Sequence, residues 1–260
     1  MSIIVAIANE KGGVAKTTTT LSLGAALVET GLDVLLLDLD AQANLSMALG
    51  IDPTRVARSM VSSLLESLPL QDAVLETGIP HLDIVPSTAE LGLVERYLPI
   101  RTQYEQVLAH TLAANHWKYD FILMDCPPFL GATTTNALMA AHLLIMPTQA
   151  EFFSINALRS MMGLVRKVRS QGNPQLTYCL LLTLYDRRNR IHRTMSEQLR
   201  TTFGIGVLDT MIEVDTRLRE SSIAGLPIIY HSPKTRSALQ YRALAQEILL
   251  YVKETAHQPA

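Results

Sequence analysis

The sequence predicts an α/β fold: a mainly parallel, twisted β-sheet with helices on both faces. Three observations lead there. Apolar runs of strand length alternate with segments of helical length along the whole chain. Several of those runs are apolar at nearly every position, as strands covered on both faces must be. No internal repeat, low-complexity tract or linker breaks the pattern, so residues 1–260 read as one domain. With 260 residues, 48% of them hydrophobic, the chain can bury a sizeable core.

The first run, residues 3–8, reads as a buried strand. It leads into Asn9-Glu10-Lys11-Gly12-Gly13-Val14-Ala15-Lys16-Thr17-Thr18 and then into a helix over 19–29, apolar at Leu21, Leu23, Ala25, Ala26 and Leu27. A strand, a glycine turn and a helix opening on Lys-Thr form an arrangement that holds a phosphate chain. Consecutive backbone N–H groups wrap the oxygens, the helix N-terminus adds partial positive charge, and a lysine adds a full one. The candidate phosphate ligands are Lys11, Gly12, Gly13, Val14, Ala15, Lys16, Thr17 and Thr18. The Thr17 hydroxyl falls where a phosphate-bound Mg²⁺ takes a ligand.

The second run, 34–39, carries Asp38 and leads to Asp40. Carboxylates at the end of a buried strand are costly unless they meet a cation or strong donors. In a parallel sheet that end faces the ligand crevice. Residues 53–117 hold a strand near 82–86 but suggest no chemistry, and His81, His110 and His116 lack metal-ligand spacing. The run 121–124 ends on Asp125-Cys126-Pro127-Pro128, where two prolines fix φ and suit a loop that moves as a unit. Further strands are expected at 143–147 and 176–184, with a weaker one at 206–212. Helices are expected at 102–115, 154–170, 192–203 and 235–253.

Lys-Gly-Gly-x-x-Lys-Thr, with its additional Lys11, is not the ordinary G-x-x-x-x-G-K-[ST] box, whose glycine positions are Glu10 and Ala15 here. It resembles the deviant Walker A box of the ParA/MinD family of P-loop ATPases, in which glycine usually stands where Ala15 is. Alanine fits there if that residue already has helical dihedrals. The resemblance extends along the chain and is weakest over 53–117. It covers Asp-x-Asp at 38–40 (with Ala41 for the usual proline), the strand ending on Asp125, Thr135-Asn136-Ala137-Leu138, and Pro147-Thr148-Gln149-Ala150-Glu151. It implies a single P-loop domain that hydrolyses ATP with Mg²⁺. Catalysis falls on Lys11, Lys16 and Asp40, with Thr17, Asp38 and Asp125 around the metal, partly through water. Glu213 and Asp215 occupy the segment that lies near the adenine in relatives.

The net charge of −2 conceals an asymmetry: residues 1–150 carry 7 Lys+Arg against 15 Asp+Glu, and residues 151–260 carry 15 against 9. Such polarity marks either a basic binding face or a solvated surface. Tyr185-Asp186-Arg187-Arg188, Arg217-Leu218-Arg219-Glu220 and Lys234-Thr235-Arg236 resemble segments of the ParA/Soj subgroup. By that resemblance Arg188 and Arg217 bind DNA without sequence preference, extended by Arg187, Arg190, Arg193, Arg219, Lys234 and Arg236. Arginines without interleaved aromatics suit phosphate contacts. The subgroup implies an ATP-dependent homodimer, a ParB-like or adaptor protein that stimulates hydrolysis, and a cytoplasmic location on the nucleoid.

Three other classes share the box. A MinD-like membrane cycle needs a basic amphipathic C-terminal helix, and residues 251–260 hold one lysine and no such stripe. An electron carrier needs cysteines placed for a cluster, whereas Cys126 and Cys179 lie in apolar segments and read as reduced core thiols. A P-loop kinase, or a regulatory ATPase without cargo, stays open. No apolar run reaches about 18 residues, and no charged and apolar leader pattern precedes the first strand.

Overall fold

The computed structural model describes residues 2–152 and 154–256, without side-chain detail for 255 and 256. The strands are β1 (Ile3–Ile7), β2 (Val34–Asp38), β3 (Leu75–Ile79), β4 (Leu82–Val85), β5 (Phe121–Asp125), β6 (Leu143–Gln149), β7 (Thr177–Tyr185) and β8 (Val207–Glu213). They form one eight-stranded sheet in the order β3-β4-β2-β5-β1-β6-β7-β8. Every pairing is parallel except β3 with β4.

The helices are α1 (Lys16–Val28), α2 (Asn44–Met47), α3 (Met60–Leu64), α4 (Gly92–Tyr97), α5 (Val107–Ala113), α6 (Ala132–Ala140), α7 (Ser154–Gln171), α8 (Arg190–Phe203), α9 (Arg217–Ile223), α10 (Ile228–His231) and α11 (Arg236–Ala256). The alternation of strand side chains divides the interior into two layers. Val5 and Ile7 of β1 and Val34 and Leu36 of β2 pack with α1, α10 and α11. Ala6, Leu35 and Leu37 pack on the other face with α3, α5, α6 and α7. Helices therefore cover both faces, and the central strands are apolar throughout for that reason.

The expected strands are all present, and β3 is an addition. Its burial alternates weakly and it runs antiparallel at the sheet edge, so its sequence lacks the run that marks a central strand. Residues 102–115 form a shorter helix than expected, preceded by a 3₁₀ turn at Tyr104–Gln106. Both cysteines are buried and free. Among the described residues no helix is long and apolar enough to cross a membrane. Of the C-terminal stretch compared with a membrane helix, 257–260 lie outside the described residues.

The register sets up the site. Ile7 of β1 pairs with Asp125 of β5, and Asp125 pairs with Asp38 of β2. The carboxyl ends of three adjacent strands thus line up beneath the loop that leaves β1, the position where open parallel sheets bind ligands.

Candidate nucleotide and DNA sites

The loop between β1 and α1 is braced from within. Asn9, almost fully buried, donates from Nδ2 to the Pro147 carbonyl at 2.8 Å and accepts the Lys11 N–H on Oδ1 at 2.9 Å. The Thr183 hydroxyl donates to the Val14 carbonyl at 3.0 Å. Gly13 turns at φ 72°, a left-handed conformation that glycine adopts without steric cost. Ala15 is also left-handed, at φ 66° and ψ 36°. The condition under which alanine would fit, right-handed helical dihedrals, is therefore not met. Ala15 is a strained N-cap and lines the cavity.

That cavity, about 570 Å³, is lined by loop residues including Gly12, Gly13, Ala15, Lys16, Thr17 and Thr18, together with Asp40 and Pro128. Lys16 is nearly buried, and its Nζ donates to the Lys11 carbonyl at 3.2 Å. Burial lowers its pKa, and Asp125 opposes the shift. Thr17 donates to Asp125 Oδ2 at 2.7 Å. Burial, then the Asp38 charge, pushes the Asp125 carboxyl up to about 8, against the pull of Thr17 and Lys16. A nearby cation would favour the ionised form of a buried carboxyl shifted this far. No group of three or more His, Cys, Asp and Glu side chains that could hold a metal occurs among the described residues. A cation here would need phosphate oxygens and water to complete its shell, as Mg²⁺ does. The residues fit a nucleoside triphosphate with Mg²⁺, held by the loop, Lys16, Thr17 and Asp125.

Asp38 is held by backbone and hydroxyl donors. Its oxygens accept from the Ser46 N–H at 2.9 Å, the Ser46 hydroxyl at 2.7 Å and the Asp40 N–H at 3.2 Å. Burial still raises its pKa to about 6. Asp38 pins α2 and the turn after β2, and the strand register sets it beside Asp125. Asp40 does line the cavity and accepts the Gln42 N–H at 2.9 Å.

Lys11 does not line its own phosphate cavity. Its Nζ donates to Gln149 Oε1 at 2.6 Å and to Glu151 Oε2 at 2.7 Å, beyond the end of β6.

Glu213 and Asp215, the residues expected near the base, do not line this cavity and lie among arginines. The nearly buried Glu213 takes Arg187 on one oxygen and Arg236 on the other, each at 3.0 Å, and accepts from Gln240 at 2.9 Å. Asp215 accepts the Arg217 N–H at 3.0 Å and the Ser237 hydroxyl at 2.9 Å. The expected DNA-binding residues do share one region. Arg187, Arg188 and Arg190 follow β7, Arg217 and Arg219 follow β8, and Lys234 and Arg236 lead into α11. All seven are exposed. Four carboxylates are interleaved with them: besides Glu213 and Asp215, Asp186 pairs with Arg188 at 3.2 Å and Glu220 with Arg217 at 2.9 Å. Arg187 and Arg236 hold the nearly buried Glu213, Arg188 and Arg217 pair with more exposed acids, and Arg190, Arg219 and Lys234 have no ion pair among the described residues.

Sequence reasoning missed Glu95. From α4 its carboxylate caps α6, accepting the Ala132 N–H at 2.7 Å and the Thr133 N–H at 2.8 Å. A Cβ at Gly131 would collide with Glu95 Oε2, so a side chain there would displace the capping carboxylate. The segment 53–117 thus holds down the helix that follows Asp125 and the two prolines. The acid and the helix it caps are far apart in sequence, which leaves no local signal.

Residues 2–178 match a family described as an AAA domain. The chain is 37% identical over 249 residues to the chromosome partitioning protein ParA of Caulobacter vibrioides, a match that spans 95% of this chain and 93% of that protein. It is 36% identical over 249 residues to the sporulation initiation inhibitor protein Soj of Bacillus subtilis, spanning 95% and 98%. The fold superposes on the crystal structure of cobyrinic acid a,c-diamide synthase from Mycobacterium smegmatis with bound ADP and magnesium. The TM-score is 0.86 at 32% identity, covering 100% of this chain and 99% of that one. With the deviant box, the strand-end carboxylates and this length of similarity together, the chain belongs to the ParA/Soj/MinD family of P-loop ATPases.

Proposed function

We propose that this chain is an ATP-operated positioning switch. Two copies close face to face on two ATP molecules, the dimer binds DNA without sequence preference, and hydrolysis quickened by a ParB-like or adaptor protein releases it. The cargo is a plasmid, a chromosome or a protein assembly, and the site of action is the nucleoid.

The observation that carries this reading is the position of Lys11. Its ammonium is turned away from the loop's own phosphate cavity and lies on Gln149 and the half-exposed Glu151. Within one chain Lys16 already serves the phosphates. Exchanging Glu151 for phosphates on a facing subunit would give Lys11 a transition-state charge to stabilise, as an arginine finger does. Lys16 would hold the phosphates in cis, and Asp40 would orient the attacking water. Thr17 and Asp125 would hold Mg²⁺, which would neutralise charge on the phosphate oxygens. Arginine patches joined in a dimer would bind DNA with avidity that one copy lacks.

Lys11→Ala tests the trans role. ATP affinity should stay within a few-fold of the parent while hydrolysis falls on the order of 10³-fold. Hydrolysis at the parent rate would show that Lys11 has no catalytic part.

A further inference from the structure

α7 and α8 lie on the same sheet face, each following a parallel strand of the β6–β7–β8 ladder. Side chains from both line a groove of about 350 Å³ that is separate from the nucleotide cavity. Its walls are mostly apolar: Ile155, Leu158 and Met162 from α7, and Met195, Leu199 and Phe203 from α8, with Gln198 and Thr202 beside them. The α7 residues recur at helical spacing, so the groove follows the helix axis. Leu158, Met195 and Leu199 are buried, and Ile155, Met162 and Phe203 are half-exposed. Two methionines give the walls a deformable surface suited to a docked side chain. The lining runs from residue 155 to 166 on α7 and from 195 to 203 on α8, roughly 13–18 Å of wall, about two to three turns of a third helix.

The rim is basic. Arg159 and Arg166, on one side of α7, are exposed groove residues with no ion pair among the described residues. Lys167 lies next to Arg166 on α7, and α7 itself carries no acid. A second copy presenting this face would meet like charge, which disfavours a symmetric pairing. Duplex DNA would match the charge but would lay hydrated phosphates over Leu, Met and Phe. An amphipathic helix with an apolar stripe and flanking carboxylates matches both the walls and the rim.

We propose that the α7/α8 groove is a docking site for an acidic amphipathic helix of a partner protein. Apolar residues at i, i+3/i+4 and i+7 enter the groove, and flanking Glu or Asp meets Arg159 and Arg166. None of its residues lines the nucleotide cavity.

The probe is a fluorescein-labelled synthetic peptide of about 18 residues, with leucines at helical spacing and glutamates beside them. It is titrated into the full chain without nucleotide, next to a scrambled peptide and one with lysine for every glutamate. The acidic helix should bind at least about tenfold more tightly than either control. Arg159→Glu with Arg166→Glu should weaken it by about tenfold and improve the lysine peptide. In protein labelled at methionine methyls, the Met162 and Met195 resonances should shift with the acidic peptide, which locates the site without any mutant. Equal binding of the scrambled peptide would overturn the proposal, as would unmoved Met162 and Met195 resonances at saturation. So would a double variant that loses short duplex DNA while keeping the peptide, because the rim would then serve nucleic acid.

Discussion

Ala15 holds φ 66° and ψ 36° directly before α1, in a region where a β-carbon crowds the following carbonyl. Ala15→Gly isolates the cost of that conformation. A non-glycine residue in the left-handed well costs roughly 1–2 kcal/mol. Against this, glycine loses about 0.5–1 kcal/mol more backbone entropy on folding. Ala15 lines the cavity and is half-exposed, so removing its methyl group forfeits little burial. The difference is a gain of about 0.5–1 kcal/mol. At about 2–4 °C per kcal/mol for a chain near this size, Tm should rise by roughly 1–4 °C. The assay is thermal unfolding of the nucleotide-free chain, with Ala43→Gly as companion, because Ala43 is left-handed at φ 51° before α2. Ala43 is buried and should gain less. A Tm unchanged or lower for Ala15→Gly would mean that the loop avoids this conformation without phosphate, and the inferred strain would not exist.

Two further predictions concern charge. A carboxyl whose folded pKa is raised, as at Asp125 (about 8), stabilises the fold below its ordinary value near 3.8 and loses that contribution as pH rises through 8. The nucleotide-free chain should therefore lose Tm between pH 5 and pH 9 more steeply than Asp125→Asn, while that variant loses the Mg²⁺-dependent part of ATP binding. Parallel Tm-against-pH curves would refute the assignment. In the basic region, Arg188→Glu with Arg217→Glu should abolish DNA binding while ATP-dependent dimers persist on a sizing column. Replacing Arg188 and Arg217 by alanine should flatten the log–log salt dependence by about 3–4 for a dimer, near 0.9 for each phosphate no longer neutralised. An unchanged slope would move the DNA face elsewhere.

The legibility of the chain follows physical lines. The central strands were readable because burial on both faces forces continuous apolar runs. β3 was not, because an antiparallel edge strand needs no such run. The phosphate loop was readable from residue type and spacing, since backbone amides, a lysine and a threonine act at fixed offsets. Dihedral angles are not encoded that way, so Ala15 could only be given a condition, and the structure removes it. Asp38 and Asp125 look alike in sequence. The register sets them side by side, and only the fold shows that Ser46 reaches Asp38 while Thr17 reaches Asp125. Glu213 shows the same limit: charge patterning marks a basic region, but which acid lies beneath which arginine depends on where β8, the loop after β7 and the start of α11 converge.

The central claim is that nucleotide state governs DNA binding. The most direct measurement is a gel shift on a duplex of arbitrary sequence with ATP, with ADP and without nucleotide, in Mg²⁺ at fixed salt. An ATP-operated switch should give a shift with ATP that is lost with ADP and without nucleotide. Equal binding in all three states, or none with ATP, would contradict it.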